Sequence, residues 1–203
     1  MKLLKHINIR SNVVLLFVAV CCMAGYYIVE ENMIMHKEQW FEEKLAAANL
    51  SKEAALTLKN YYLGDVEFVD NINDPNETGL IGFEYSPITS ERGSYSAKSS
   101  TTNPNYAAMM VQLLKGLKVK EGDTVAVAVT GSFPALNISV YAAMQTLKLH
   151  PIIITSVASS SWGANDPDFA WLDMEQVLCD SGIFMFRSVA ASIGASRDMG
   201  KVS

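Results

Sequence analysis

Two short runs constrain this chain more than anything else in it. Thr124 to Val129 reads TVAVAV, and Pro151 to Val157 reads PIIITSV. Each is a continuous stretch of small and β-branched residues, the pattern of a strand buried on both faces. Between them Pro134 opens a helical pattern with Leu136, Val140, Ala143, Met144 and Leu147 directed inward. Before the first run, Asn103-Pro104 caps a helix whose apolar stripe is Met109, Met110, Leu113, Leu114 and Leu117. After the second, Phe169 to Cys179 is a third helix ending near Gly182, and Ile183–Phe186 reads as a third short strand. Alternation of this kind predicts an α/β fold: a doubly wound, Rossmann-like parallel sheet with right-handed crossovers over residues 104–203. Three strands make a small sheet, and the last unit has no helix after it. The domain therefore reads as incomplete at its C-terminus, a fragment of something longer.

The first thirty residues have a different character. Val13 to Val29 contains no charge over seventeen residues, the short end of the length that spans a bilayer. Lys2, Lys5 and Arg10 precede it, Glu30 and Glu31 follow it, and Tyr26 and Tyr27 suit a membrane interface. The positive-inside rule places the N-terminus in the cytoplasm and the body outside, on a single-pass membrane anchor. A cleaved signal peptide is the competing reading, with Met23-Ala24-Gly25 as its nearest cleavage site. A lipoprotein signal fits poorly, because Val20 precedes Cys21. A buried helix of a soluble domain is the third alternative.

Residues 31–64 read as a helical stalk. A first helix covers about Met33 to Ala48, with Ile34, Phe41, Leu45 and Ala48 on one face. A break follows at Asn49, and a second helix is capped by Ser51 and stopped by Gly64. Residues 65–103 are rich in turn residues and read as an irregular segment with short extended pieces such as Leu80–Tyr85. Gly79 to Ser94 is its expected mobile flap.

Charge narrows the partners. The net charge is −5, and beyond residue 12 there are 13 basic against 21 acidic residues, or −8. Such a body does not offer the basic face that nucleic acid requires. Three cysteines and three histidines show no metal-ligand spacing, so no metal and no cofactor is expected. Neither a P-loop nor a G-x-G-x-x-G is present. Asp166, Asp168, Asp173 and Glu175 read as acids drawn to a helix N-terminus rather than as metal ligands.

In an open parallel sheet, ligands bind at the carboxyl ends of the strands, near a switch in strand order. Here those ends carry Thr130-Gly131-Ser132, then Ser159-Ser160-Ser161, then Arg187. Backbone N–H groups and hydroxyls at such a rim favour an anion, a carboxylate for example, which Arg187 would pair with. Ser132 capping its own helix is the plainer alternative, as is ordinary turn chemistry for the serine loop. Gly131-Ser132-Phe133-Pro134 also has the strand–turn–helix context of a nucleophile elbow, but lacks its second glycine. His150 falls at the opposite end of the strands, which leaves no Ser–His pair.

Three runs resemble the poly-gamma-glutamate system protein family: Thr101 to Ala108 (TTNPNYAA), Lys120 to Val127 (KEGDTVAV) and Gly131 to Asn137 (GSFPALN). The serine loop Ser159 to Asn165 fits as well. The resemblance covers nearly the whole chain. It implies a bacterial protein with an N-terminal membrane segment in the cytoplasmic membrane, partnered with the subunits that synthesise and export poly-gamma-glutamate in capsule production. Joined to the anion-favouring rim, it leads to the expectation that the strand-end loops hold a carboxylate or chain end of the poly-gamma-glutamate chain. Members of that family are longer, in keeping with a fragment. An enzyme that trims or modifies the polymer and a non-catalytic scaffold docking through residues 33–63 are the two alternatives.

Overall fold

A computed structural model describes residues 12–33, 37–64 and 72–195. Lys2, Lys5, Arg10 and Ile34 lie outside the described residues. The chain divides into two units, Met1–Gln39 and Trp40–Ser203. In the first, α1 (Asn12–Glu31) is a 20-residue helix with no buried side chain, long and apolar enough to cross a membrane.

The second unit is mixed α/β. Its first helix, α2, runs unbroken over Phe41–Leu63. The expected break at Asn49 and the cap at Ser51 are not there. Ala47, Ser51, Ala54 and Leu58 are all buried and recur at helical spacing, so one inward stripe passes straight through the serine. Packing of that stripe outweighs local capping preference. The helix is therefore no free-standing spacer: it lies against α4 (Asn105–Gly116) and α5 (Pro134–Thr146), and Glu43 reaches Lys115 of α4 at 3.2 Å. Gly64 ends it as expected, at φ 51, with its N–H on the Asn60 carbonyl.

Between α2 and α4 the chain forms a short helix, α3 (Tyr95–Thr101), within the stretch expected to be irregular. Ser94 caps it, accepting from the Ala97 N–H. Asn103 accepts from the Asn105 N–H at the start of α4.

The sheet is built from β1 (Thr124–Thr130), β2 (His150–Ser156) and β5 (Ala190–Ser192), all parallel and in the order β1-β2-β5. A two-residue pair, β3 (Asn165–Asp166) and β4 (Phe169–Ala170), forms a small antiparallel ladder just before α6 (Trp171–Asp180). The third parallel strand is not at Ile183–Phe186. The side-chain amide of Gln145 accepts from the Met185 N–H and donates to the Ile183 carbonyl, taking the backbone groups a neighbouring strand would use. Phe184 and Phe186 are spent on an aromatic cluster with Tyr141, at 5.5 and 5.4 Å between ring centres.

Both crossovers advance in one direction, so right-handed connections put α5 and α6 on one face of the sheet. Val125, Val127, Val129 and Ile153 pack there. Ala126, Ala128, Ile152 and Ile154 are exposed on the other. The expected burial on both faces is thus not seen, and among the described strands there is no reversal of order and no switch point.

The expected flap, Gly79 to Ser94, is stitched down. Trp162 exchanges backbone hydrogen bonds with Gly82 and Phe83, and Ser159 and Ser161 bond with Ser90 and Glu91. Asn165 bonds Phe83 through both its amide atoms and also donates to Thr89 at 2.8 Å. Leu80–Tyr85 is not a strand. A methyl group on Gly82 would collide with the Gly163 carbonyl and the Asn165 side chain. Gly82→Ala is accordingly expected to cost about 1–3 kcal/mol, read as a lower denaturant midpoint.

Candidate functional site at the ends of β1 and β2

The two strand ends lie level, since Thr130 pairs in register with Ser156. Their loops close on one another through backbone contacts that leave no room for side chains at Gly131 and Gly163. A Cβ at Gly131 would press on the Val157 carbonyl, and one at Gly163 on the carbonyls of Gly131 and Ser132. The Gly131 N–H donates to the Ser156 carbonyl at 2.9 Å, and the Ala164 N–H to the Gly131 carbonyl at 2.8 Å.

Of the residues singled out from the sequence, six converge here: Thr130, Gly131, Ser132, Ser159, Ser160 and Ser161. Thr130 Oγ1 donates to the Ala158 carbonyl at 3.2 Å. Ser159 is fully buried and donates to the carbonyls of Gly131 and Ser160. Ser132 does not cap α5. Its Oγ instead accepts the Ser160 N–H at 3.0 Å, across the gap between the loops. Ser161 is buried and turned toward the Glu91 carbonyl, 3.4 Å away. Arg187 stands apart: it precedes β5 and pairs with Asp180 at 3.6 Å. The Val189 N–H meets the Ile153 carbonyl, so Arg187 enters the sheet before the carboxyl rim rather than at it.

The cation at the rim is Lys98, from α3, which the sequence reading passed over. Its side chain is only 2% exposed. Nζ donates to the Ser132 carbonyl and to Ser160 Oγ, the latter at 2.8 Å, and sits 4.0 Å from the centre of the Phe133 ring. Among the described residues no carboxylate pairs with it, and burial lowers its pKa to about 8. The neighbouring Trp162 holds φ 65, a left-handed conformation kept in place by its bonds to Gly82 and Phe83 and by an edge contact with Tyr95 at 5.5 Å.

The other side chains that invited a chemical role are dispersed. His150 is exposed at the start of β2, at the far end from Ser132. Asp173 accepts from the Ala170 N–H at the head of α6, Asp166 accepts from Tyr62, and Glu175 is buried beside Tyr141. An apolar cleft of about 180 Å³ lies beyond the serine loop, lined among others by Tyr62, Phe83, Asn165 and Phe169, and Lys98 and Ser160 do not line it. Against known proteins, no family model, no curated protein and no solved structure matches this chain.

Proposed function

We propose that this is a membrane-anchored accessory protein of poly-gamma-glutamate production or export, whose rim at the ends of β1 and β2 receives a carboxylate of the polymer. The observation that carries the reading is Lys98: a buried cation with no described carboxylate partner, set between the Ser132 carbonyl and the half-buried Ser160 hydroxyl. An ammonium in such a place gains from an incoming anion what it lost on leaving water. The apolar helix α1 and the sequence resemblance support the membrane setting, with the N-terminus inside and the body outside. The parallel order β1-β2-β5, with both crossover helices on one face, supports reading the sheet as part of a doubly wound, Rossmann-like one. A body carrying −8 beyond residue 12 repels a polyanion along its length, so recognition of a chain end is favoured over wrapping. The scaffold alternative has less to stand on, because the inward stripe of α2 is already used in the core.

The test is titration of the full chain in detergent micelles with short gamma-glutamate oligomers, followed by amide chemical shifts. Saturable shifts at Ser132 and Ser160, absent with uncharged oligomers, are expected. No shift at millimolar oligomer overturns the reading.

A further inference from the structure

We infer that Ser160 is a nucleophile and Lys98 its general base, forming a serine–lysine dyad for acyl transfer at this rim. The choice of an amide of an anionic, peptide-like chain as substrate rests on the polymer reading above; the dyad itself does not.

The geometry is that of an activated nucleophile. Ser160 Oγ and Lys98 Nζ are 2.8 Å apart, within reach for direct proton transfer. Ser160 is half-buried, open enough to meet a substrate, whereas Lys98 behind it is shielded from water. A lysine serves as a base only when neutral, and its pKa of about 8 leaves part of the population neutral near physiological pH. Among the described residues no carboxylate, Glu91 on the segment that crosses the loop included, pairs with Lys98 to hold it charged.

A second hydroxyl completes the arrangement. Ser132 Oγ accepts from the Ser160 N–H and lies 3.4 Å from Thr130 Oγ1, the other hydroxyl within its reach. Turned toward Ser160, the Ser132 hydroxyl hydrogen stabilises an oxyanion forming there. Gly93 lies over the pair: a Cβ there would come within 3.0 Å of Ser160 Oγ and 3.3 Å of Lys98 Cε. The adjacent Arg92 is exposed and suited to attract an acidic chain.

The step balances without a further reagent. Ser160 Oγ bonds to the acyl carbon as its proton passes to Lys98. The resulting oxyanion, held by the Ser132 hydroxyl, collapses and breaks the C–N bond, and Lys98 returns the proton to the departing amine. Water then attacks the Ser160 ester, giving its proton to Lys98; the C–O bond breaks, Ser160 regains a proton, and a carboxylic acid leaves.

The experiment uses the full chain in detergent micelles with a fluorophosphonate, which phosphonylates activated serines. An adduct on the Ser160 peptide is expected by mass spectrometry, with a labelling rate that rises through a midpoint near pH 8 and vanishes in Ser160→Ala. Lys98→Met is expected to slow labelling at least a hundredfold, with folding checked by circular dichroism. If that variant does not fold, the pH profile and Ser160→Ala decide. An absent adduct, an adduct on Ser132 instead, or a rate flat across pH 7–9 overturns the dyad. Oligomers that bind without any adduct overturn the dyad and leave the carboxylate reading standing. An adduct with no oligomer binding upholds the dyad and removes the polymer as its substrate.

Discussion

Glu175→Ala is expected to destabilise the protein by about 3–5 kcal/mol and to release the segment that leads into β5. Glu175 is 4% exposed. Its carboxylate accepts from the Tyr141 hydroxyl, from the Ser188 hydroxyl at 2.8 Å and from the Ser188 N–H at 3.0 Å. Ser188 in turn shares a hydrogen bond with Thr155 of β2 at 2.6 Å. One carboxylate thus joins α5, α6, β2 and the entry to β5. Removing it leaves the buried Tyr141 hydroxyl and the half-buried Ser188 N–H without their acceptor, and each buried unmatched donor costs about 1–3 kcal/mol. The loss should be local as well as global. In denaturant titration the midpoint falls. In hydrogen exchange the Val157, Ala158 and Val189 amides, which bond across to Ser192, Ile193 and Ile153, should exchange faster than those of β1. Glu175→Gln keeps the shape and an acceptor, so it should cost clearly less. Equal losses for the two variants would mean that the network does not hold β5. The Tyr141 hydroxyl gives a second readout: burial first, and then Glu175, push its pKa upward, so part of that rise should disappear in the alanine variant.

The order of β1, α5, β2 and α6 was legible because each carries a pattern that does not depend on distant neighbours. Asn103-Pro104 and Pro134 mark helix starts by local chemistry, and Gly64 marks a stop in the same way. What failed needed information from elsewhere in the chain. Ile183–Phe186 has strand-like residues, but Gln145, some forty positions earlier, takes their backbone groups. Asn49 and Ser51 look like a helix boundary until Ala47, Ala54 and Leu58 are seen to share one buried stripe. The one-sided sheet did leave a trace. In TVAVAVT the valines alternate with alanines, and it is the valines that meet the helices while Ala126 and Ala128 stay exposed. Hydroxyls at the strand ends were legible from their place after each apolar run. Lys98 was not, because a lysine in a short serine-rich helix looks like a solvated one. Its burial follows from partners 34 and 62 residues away.

The same lysine should set the direction in which stability changes with pH. Its pKa falls from 10.5 to about 8 on folding, so between those values the unfolded chain holds a proton that the folded chain has released. Stability therefore rises with pH across that window, by at most about 1.4 kcal/mol per pH unit for one proton. Below pH 8 both states are protonated and the buried charge weighs against folding throughout. Cys179 acts in the opposite sense: burial raises its pKa, the unfolded thiol ionises more readily, and stability is lost as pH climbs past 9. A wild-type profile alone mixes the two, and subtracting the profile of Lys98→Met separates them. The difference between the proteins should grow in favour of wild type from pH 8 to 9.5. At pH 7 the methionine variant, relieved of a buried charge but leaving the Ser132 carbonyl and Ser160 Oγ without their donor, should differ less from wild type than at pH 9.5. Denaturant midpoints at four or five pH values measure this. Parallel profiles for the two proteins would show that Lys98 titrates like an exposed lysine, and a lysine of that kind is neither the shielded cation of the carboxylate site nor the shielded base of the dyad.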